Sequence, residues 1–184
     1  INFGGKYQLS FGLSFTGYQF RIDDEDALIL DPGDPLLNSN KKNFFVPDAN
    51  AGVYFSGYGF YSGLSITELF GSSIKLGANK FENYETLRHF QLIGGYKFAV
   101  SSQVYLEPSF LARATIDRAE LDLTTRIFYQ KNYWLGVTYR THQTLAFMAG
   151  FSIQEFYMAY AYDASMGALQ TYGGGSHELM LGLR

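Results

Sequence analysis

The sequence contains no cysteine, and only 17% of its 184 residues are charged. The lack of cysteine excludes disulfides and thiolate chemistry. No stretch approaches the roughly 20 consecutive apolar residues that a membrane helix requires. The net charge is −3 and no basic stripe is present, so the composition gives no reason to expect a nucleic-acid partner.

Aromatic residues, in contrast, make up 18% of the chain, and glycine contributes 20 residues. Because the mean hydropathy is only −0.08, these apolar groups must be interleaved with polar ones. The length fits a single domain, residues 1–184. No leader segment is recognisable at the start of the sequence, so either a leader has been removed or the chain as given begins late.

Strict alternation of apolar and polar residues is the dominant pattern. Every odd position from Tyr7 to Phe15 is apolar, and the positions between them are polar or glycine. A period of two is typical of β-strands with two different faces. About ten segments show it: 7–17, around 50–57, 59–67, 88–98, 104–114, 120–127, 133–140, 144–153, 155–163 and the final 173–184.

The lengths of the connections also alternate along the chain. The longer ones are 22–48, 68–85 and 164–174, after the first, third and ninth segments. The short ones are 57–58, 99–101, 130–132 and 153–154. Tight turns on one side and longer loops on the other are typical of a chain that zigzags through a bilayer, whereas an immunoglobulin-like sandwich has no reason to show them. We therefore predict an all-β, antiparallel transmembrane β-barrel, with a soluble β-barrel as the alternative.

The charged residues of the segments fall opposite the apolar set, so they are predicted to line the lumen of the barrel. The predicted lumen wall contains Lys97, Glu107, Arg113, Glu120, Asp122, Arg126 and Glu155. Opposite charges on neighbouring strands can pair and plug a narrow lumen. The alternative is a wall that contacts a transiting or docked polypeptide.

Two polar clusters are candidates for chemical sites. Ser176, His177 and Glu178 are consecutive, and adjacent strand residues point to opposite faces, so a catalytic triad is geometrically poor and a loop-anchoring role is favoured. The acidic residues Asp23 to Asp26 and Asp31 to Asp34 lack the spacing of a hand-type calcium loop. We interpret them as a solvated loop and predict no metal site, although calcium would bind there if anywhere.

Several separated runs resemble the PorP/SprF family of type IX secretion proteins. They are PDANAGVYF (47–55), GLSITELF (63–70), LIGGYKF (92–98), LEPSFLARATIDRAELDLTTRIFYQKNYWLGVTYRTHQTLAFMAGF (106–151) and FYMAYAYDASMGALQTYGGGSHELMLGLR (156–184). The resemblance implies a Bacteroidetes outer-membrane β-barrel without enzymatic activity or cofactor. Members of the family carry a further N-terminal portion, so we expect this sequence to lack that portion and its ten or so strands to be part of a barrel of about twelve to fourteen. It also implies a role in type IX secretion and gliding motility.

The resemblance further implies that the protein binds or anchors a secreted surface adhesin through the adhesin's C-terminal domain. Its other expected partners are outer-membrane lipid and further type IX secretion components. The alternatives are a core barrel of the apparatus that links to the periplasmic ring, or a small outer-membrane porin or enzyme. The expected partner-binding residues are Asp23, Asp24, Asp31, Asp34, Arg140, Asp163, Tyr172, His177 and Glu178.

Overall fold

The computed structural model describes residues 1–22, 42–76, 82–141, 143–166 and 175–183, and these residues contain strands and turns but no helix. None of them forms a helix long and apolar enough to cross a membrane. The strands are β1 (Asn2–Phe3), β2 (Tyr7–Ile22), β3 (Lys42–Gly57), β4 (Phe60–Thr67), β5 (Ser73–Leu76), β6 (Glu82–Glu85), β7 (His89–Tyr96), β8 (Phe98–Ala99), β9 (Val104–Ala114), β10 (Ala119–Tyr129), β11 (Tyr133–Arg140), β12 (Thr144–Ile153), β13 (Phe156–Ser165) and β14 (Ser176–Leu183).

Twelve of these strands form one sheet in the order β1-β2-β3-β4-β7-β9-β10-β11-β12-β13-β14, with β8 pairing to β9. Strands β5 and β6 form a separate two-stranded sheet. The pairings from β9 to β14 are antiparallel between neighbours in the chain. The all-β antiparallel fold that the alternation predicts is therefore confirmed.

The ten predicted segments correspond to β2, β3, β4, β7 and β9 to β14. The largest difference is at β3, which begins at Lys42 rather than near residue 50. In the added part Val46 and Asp48 are both buried on one side of the strand and Phe45 is exposed on the other, so the two sides do not separate apolar from polar residues. The connection predicted at 68–85 also contains the β5–β6 hairpin.

The distribution of side chains is inverted relative to a soluble globular protein. Among the described residues the buried apolar side chains are only Val46, Ala49 and Ala146. The buried polar ones are Asp48, Glu107, Asp122 and Thr138. Large apolar side chains are instead exposed along the strands, for example Leu135 at 66% and Phe15 at 76%. A sheet with exposed apolar and buried charged groups is typical of a membrane β-barrel.

The chain divides into two compact units. Unit 1 comprises Ile1–Ser10, Tyr54–Leu64 and Gln91–Arg184. Unit 2 comprises Phe11–Val53 and Ser65–Phe90. Strands β9 to β14 lie wholly within unit 1, which also contains all seven charged positions that the sequence assigns to the lumen wall.

The connection between β3 and β4, in unit 1, is a tight turn of two residues with positive φ, Tyr58 at 51° and Gly59 at 85°. Positive φ at both central positions is the geometry that matches the twist of a β-hairpin. The Gly59 carbonyl accepts a hydrogen bond of 2.8 Å from the Lys97 amide. A Cβ atom on Gly59 would lie 2.3 Å from the Lys97 carbonyl oxygen, so the turn has no room for a side chain.

Replacing Gly59 with alanine is expected to lower the free energy of unfolding by about 2–3 kcal/mol, because backbone strain at positive φ is combined with a clash against a main-chain atom. Gly5→Ala is the matched control, since Gly5 has φ +69° but a methyl group there would meet nothing within 4 Å. That variant is expected to lose only about 1 kcal/mol. Urea unfolding in detergent micelles measures both, and equal losses would contradict the steric argument.

Candidate functional site on the polar face of unit 1

The register of β9 to β14 brings the charged residues within these strands to one face of the sheet. Glu107 is directly opposite Arg126, Asp122 is opposite Arg140, and Glu178 is opposite Ala161. Directly paired residues point to the same side of a sheet, and alternate residues along a strand share a face. We call this side the polar face and the other side, which carries Leu135 and Leu179, the apolar face.

Asp122 is the centre of the first charge cluster, and only 6% of it is exposed. Its Oδ2 accepts a hydrogen bond of 2.8 Å from Arg113 Nη2, and its Oδ1 accepts one of 3.1 Å from Arg140 Nε. Glu120 lies 3.2 Å from Arg113 and 3.3 Å from Arg140. Two guanidinium groups thus compensate the charge of a carboxylate that water scarcely reaches.

Glu107 is the centre of the second cluster and is 6% exposed. It forms a charge-assisted hydrogen bond with Arg126 Nη2 and accepts a second one of 3.2 Å from the Tyr61 hydroxyl. The Tyr61 ring stacks on Tyr54, with 6.3 Å between the ring centroids. It also occupies the space above Gly95, where a Cβ atom would lie 2.5 Å from the hydroxyl oxygen. The glycine thereby allows the tyrosine to reach the carboxylate.

A cavity of about 370 Å³ opens on the polar face between these clusters. Its polar lining residues include Asp122, Thr124, Arg126, Thr138, Asp163 and Glu178. The hydroxyl oxygens of Thr124 and Thr138 lie 2.7 Å apart, which links β10 to β11 across its floor. The cavity volume is larger than the volume of several water molecules, so the cavity can accept polar side chains of a docked polypeptide.

The structure assigns the predicted partner-binding residues to different places. Arg140, Asp163 and Glu178 lie on the polar face, with Arg140 Nη1 3.9 Å from Asp163 Oδ2. His177 lies on the apolar face, where its Nδ1 is 2.6 Å from the Tyr160 hydroxyl and its ring packs against Tyr162. The other predicted partner-binding residues, Asp23, Asp24, Asp31, Asp34 and Tyr172, lie outside the described residues.

Five of the seven predicted lumen-wall residues, Glu107, Arg113, Glu120, Asp122 and Arg126, take part in the two charge clusters. Lys97 lies between β7 and β8, with its ammonium nitrogen 3.5 Å from the centroid of the Phe128 ring. The assignment of Glu155 needs correction. The residue lies in the tight turn between β12 and β13 with an exposed side chain, because the chain reverses direction at 154–155 rather than at the predicted connection 153–154.

A further polar cluster, in unit 2, is not predicted by the sequence pattern. Asp48 is 1% exposed, and its Oδ1 accepts hydrogen bonds from the amides of Ala49 at 2.7 Å and Phe70 at 3.2 Å. The side-chain oxygen of Asn50 accepts another from the Glu68 amide at 3.1 Å. These bonds fix the backbone of residues 68–70 against β3. The only local sign of this cluster in the sequence is the presence of Asp48 and Asn50 two positions apart in a strand.

The described residues contain no group of three or more histidine, aspartate or glutamate side chains that could hold a metal ion. On the same face of β13 and β14, Ser176 is directly opposite Asp163, whereas His177 points to the other side. The arrangement therefore provides fixed charges and hydrogen-bonding groups, without a convergent nucleophile and base.

Comparison with known proteins gave one informative match. The family model described as type IX secretion system membrane protein PorP/SprF matches residues 1–183. Neither the curated proteins nor the solved structures gave a significant match.

Proposed function

Because the chain belongs to the PorP/SprF family of type IX secretion system membrane proteins, we propose that it is a non-enzymatic outer-membrane β-barrel that binds a secreted surface adhesin through the adhesin's C-terminal domain. Family membership makes the protein a membrane component of type IX secretion. The adhesin, the anchoring role and the position in the outer membrane are the proposal.

The single observation that carries the proposal is the inversion of the side-chain distribution. Exposed apolar residues such as Leu135 suit a hydrocarbon environment, while buried Glu107 and Asp122 occupy the opposite face. Each buried carboxylate is already paired with arginine, so these clusters give a rigid wall. A rigid polar wall that surrounds a cavity suits a scaffold that receives part of another polypeptide.

The residues available to a partner lie near residues 115–118, 141, 143, 166 and 175, which we call the loop end of unit 1. There Glu178 is exposed and makes no ion pair among the described residues, and Asp163 has only a long contact with Arg140. These two carboxylates border the cavity and remain accessible to cationic groups of an adhesin domain.

The proposal is tested by affinity purification of the tagged protein from native membranes, followed by identification of the proteins that co-purify. Recovery of a large surface adhesin supports the proposed role. Recovery of the periplasmic ring without any adhesin would contradict it and favour a core component of the apparatus.

Replacing Asp163 with asparagine and Glu178 with glutamine together is expected to reduce the recovered adhesin by about tenfold, because two charge contacts at the cavity are lost. Glu155→Gln is the matched control, since it removes a carboxylate from an exposed turn at the other end of the strands. The amount of barrel in the membrane is measured in parallel by immunoblot. Equal adhesin recovery from the double variant and the control would refute a role for these carboxylates.

A further inference from the structure

The opposite end of unit 1 carries a different set of residues. The turns 58–59, 130–132 and 154–155 define this tight-turn end. Lys97, Arg126 and Lys131 lie here, together with three aromatic residues, Tyr105, Phe128 and Trp134. We call these six residues the basic-aromatic platform.

The aromatic rings of the platform support its cations. Lys97 Nζ lies 3.5 Å from the centroid of Phe128 and 5.7 Å from that of Tyr105. Lys131 Nζ lies 5.9 Å from the Tyr105 centroid. The Arg126 guanidinium carbon lies 5.6 Å from Phe128 and 5.9 Å from Trp134. Ring faces attract cations without neutralising them, so the positive charge remains available.

Carboxylates balance these three cations only in part. Glu107 is the buried acidic residue near the platform, and it is already engaged by Arg126 and Tyr61. Glu155 is exposed in its turn and forms no ion pair in the described part of the chain, and neither lysine does so. The buried Nε of Arg126 also lacks a hydrogen-bond acceptor among the described residues. The two lysines thus carry positive charge that no carboxylate pairs with in the described part of the chain.

The face on which the platform lies indicates the kind of ligand. Phe128 is directly opposite both Tyr105 and Trp134. Arg126 and its partner Glu107 are the next pair along the same strands, so all of these residues lie on the polar face. Lipid would contact the apolar face, so a membrane headgroup is a poor match for these cations. A polypeptide segment that enters the polar face from the tight-turn end meets them directly.

The sign of the charge also differs between the two ends of the polar face. At the loop end Glu120, Asp122, Asp163 and Glu178 outnumber Arg113 and Arg140. A negatively charged segment is therefore attracted to the tight-turn end and repelled at the loop end. We propose that the basic-aromatic platform binds an acidic polypeptide segment, a site distinct from the carboxylates on which the proposed adhesin contact rests.

The experiment measures binding of a short fluorescent peptide of alternating glutamate and tyrosine to the full chain in uncharged detergent micelles, by fluorescence anisotropy. A peptide with glutamine in place of glutamate is the ligand control, and it is expected to bind about tenfold more weakly. Raising the salt to about 0.5 M is expected to weaken binding of the acidic peptide, because the screening length becomes short.

The variant Lys97→Gln with Lys131→Gln is expected to lose about tenfold in affinity for the acidic peptide. Arg118→Gln is the matched control, because Arg118 is an exposed cation at the loop end, and its affinity is expected to stay unchanged. Correct folding of each variant is checked by the mobility difference between heated and unheated samples on a gel. If the double variant does not fold, Lys131→Gln alone, at an exposed turn position, is expected to lose about threefold.

Three results would overturn the proposal: equal binding of the acidic and neutral peptides, unchanged affinity in the lysine variants, or an equal loss in Arg118→Gln. A fourth such result comes from a competition experiment in which phosphatidylglycerol is added to the micelles. If it displaces the peptide from the wild type and this effect disappears with the two lysines, the platform is a lipid-headgroup site. None of these results depends on recovery of the adhesin, so this proposal and the proposed function fail separately.

Discussion

Replacing Asp122 with alanine is expected to lower the free energy of unfolding by about 3–5 kcal/mol, the usual cost of removing one partner from a buried ion pair. Asp122 is 6% exposed and is bonded to Arg113 and Arg140. Its loss leaves two guanidinium groups facing each other across β9, β10 and β11, with Glu120 as the nearest remaining counter-ion. Urea unfolding in phospholipid vesicles measures the difference.

Glu155→Ala is the control, because it removes a carboxylate that is neither buried nor part of the cluster. Because this residue is exposed in a turn, its replacement is expected to change the free energy of unfolding by less than about 0.5 kcal/mol. A loss below about 1 kcal/mol for the Asp122 variant would mean that water screens the cluster far more than its burial indicates. In that case the polar face would be hydrated and mobile.

Replacing Leu179 with arginine is expected to destabilise the protein in vesicles by about 2–4 kcal/mol, because a charge on the lipid-contacting face must be desolvated near the middle of the bilayer. Leu179 is the fourth residue of the eight-residue strand β14 and lies opposite Tyr160. Its side chain is on the apolar face.

Met180→Arg is a closely matched control, since Leu179 and Met180 are neighbours in β14 and both are 60% exposed. Met180 points to the polar face, so its replacement is expected to cost less than about 1 kcal/mol. For a protein surrounded by water, both substitutions would be ordinary surface changes with equal effects. Such equality in vesicles would exclude the membrane-facing assignment of the apolar face.

The strands and their faces are predictable because the two-residue period is a local property of the sequence. Alternation alone places Glu107, Asp122 and Arg126 on one face, and the antiparallel sheet confirms this placement. The choice of ion-pair partner is not predictable. Arg113 is directly opposite Glu120 but lies closer to Asp122, at 2.8 Å against 3.2 Å, which depends on side-chain direction as well as register.

The errors also have physical causes. Alternation does not show where a strand ends, so it assigns Glu155 to a wall although the chain turns there. Asp48 is buried where its carboxylate accepts a hydrogen bond from the amide of Phe70, which is far along the chain, and no local pattern carries that information. Tyr61 is not predicted as a partner of Glu107 because their pairing depends on Gly95, which leaves space for the ring.

The single tryptophan of the sequence gives the tight-turn end an optical reporter. Trp134 rests on Gly150, where a Cβ atom would lie 2.5 Å from its indole nitrogen, and its ring lies 6.5 Å from Phe128. Its emission wavelength and quenching therefore describe one known location without any label. Ligand arrival at the neighbouring lysines and loss of β11–β12 pairing both alter the surroundings of that indole, so a spectrofluorimeter can follow docking and denaturation in the unmodified chain.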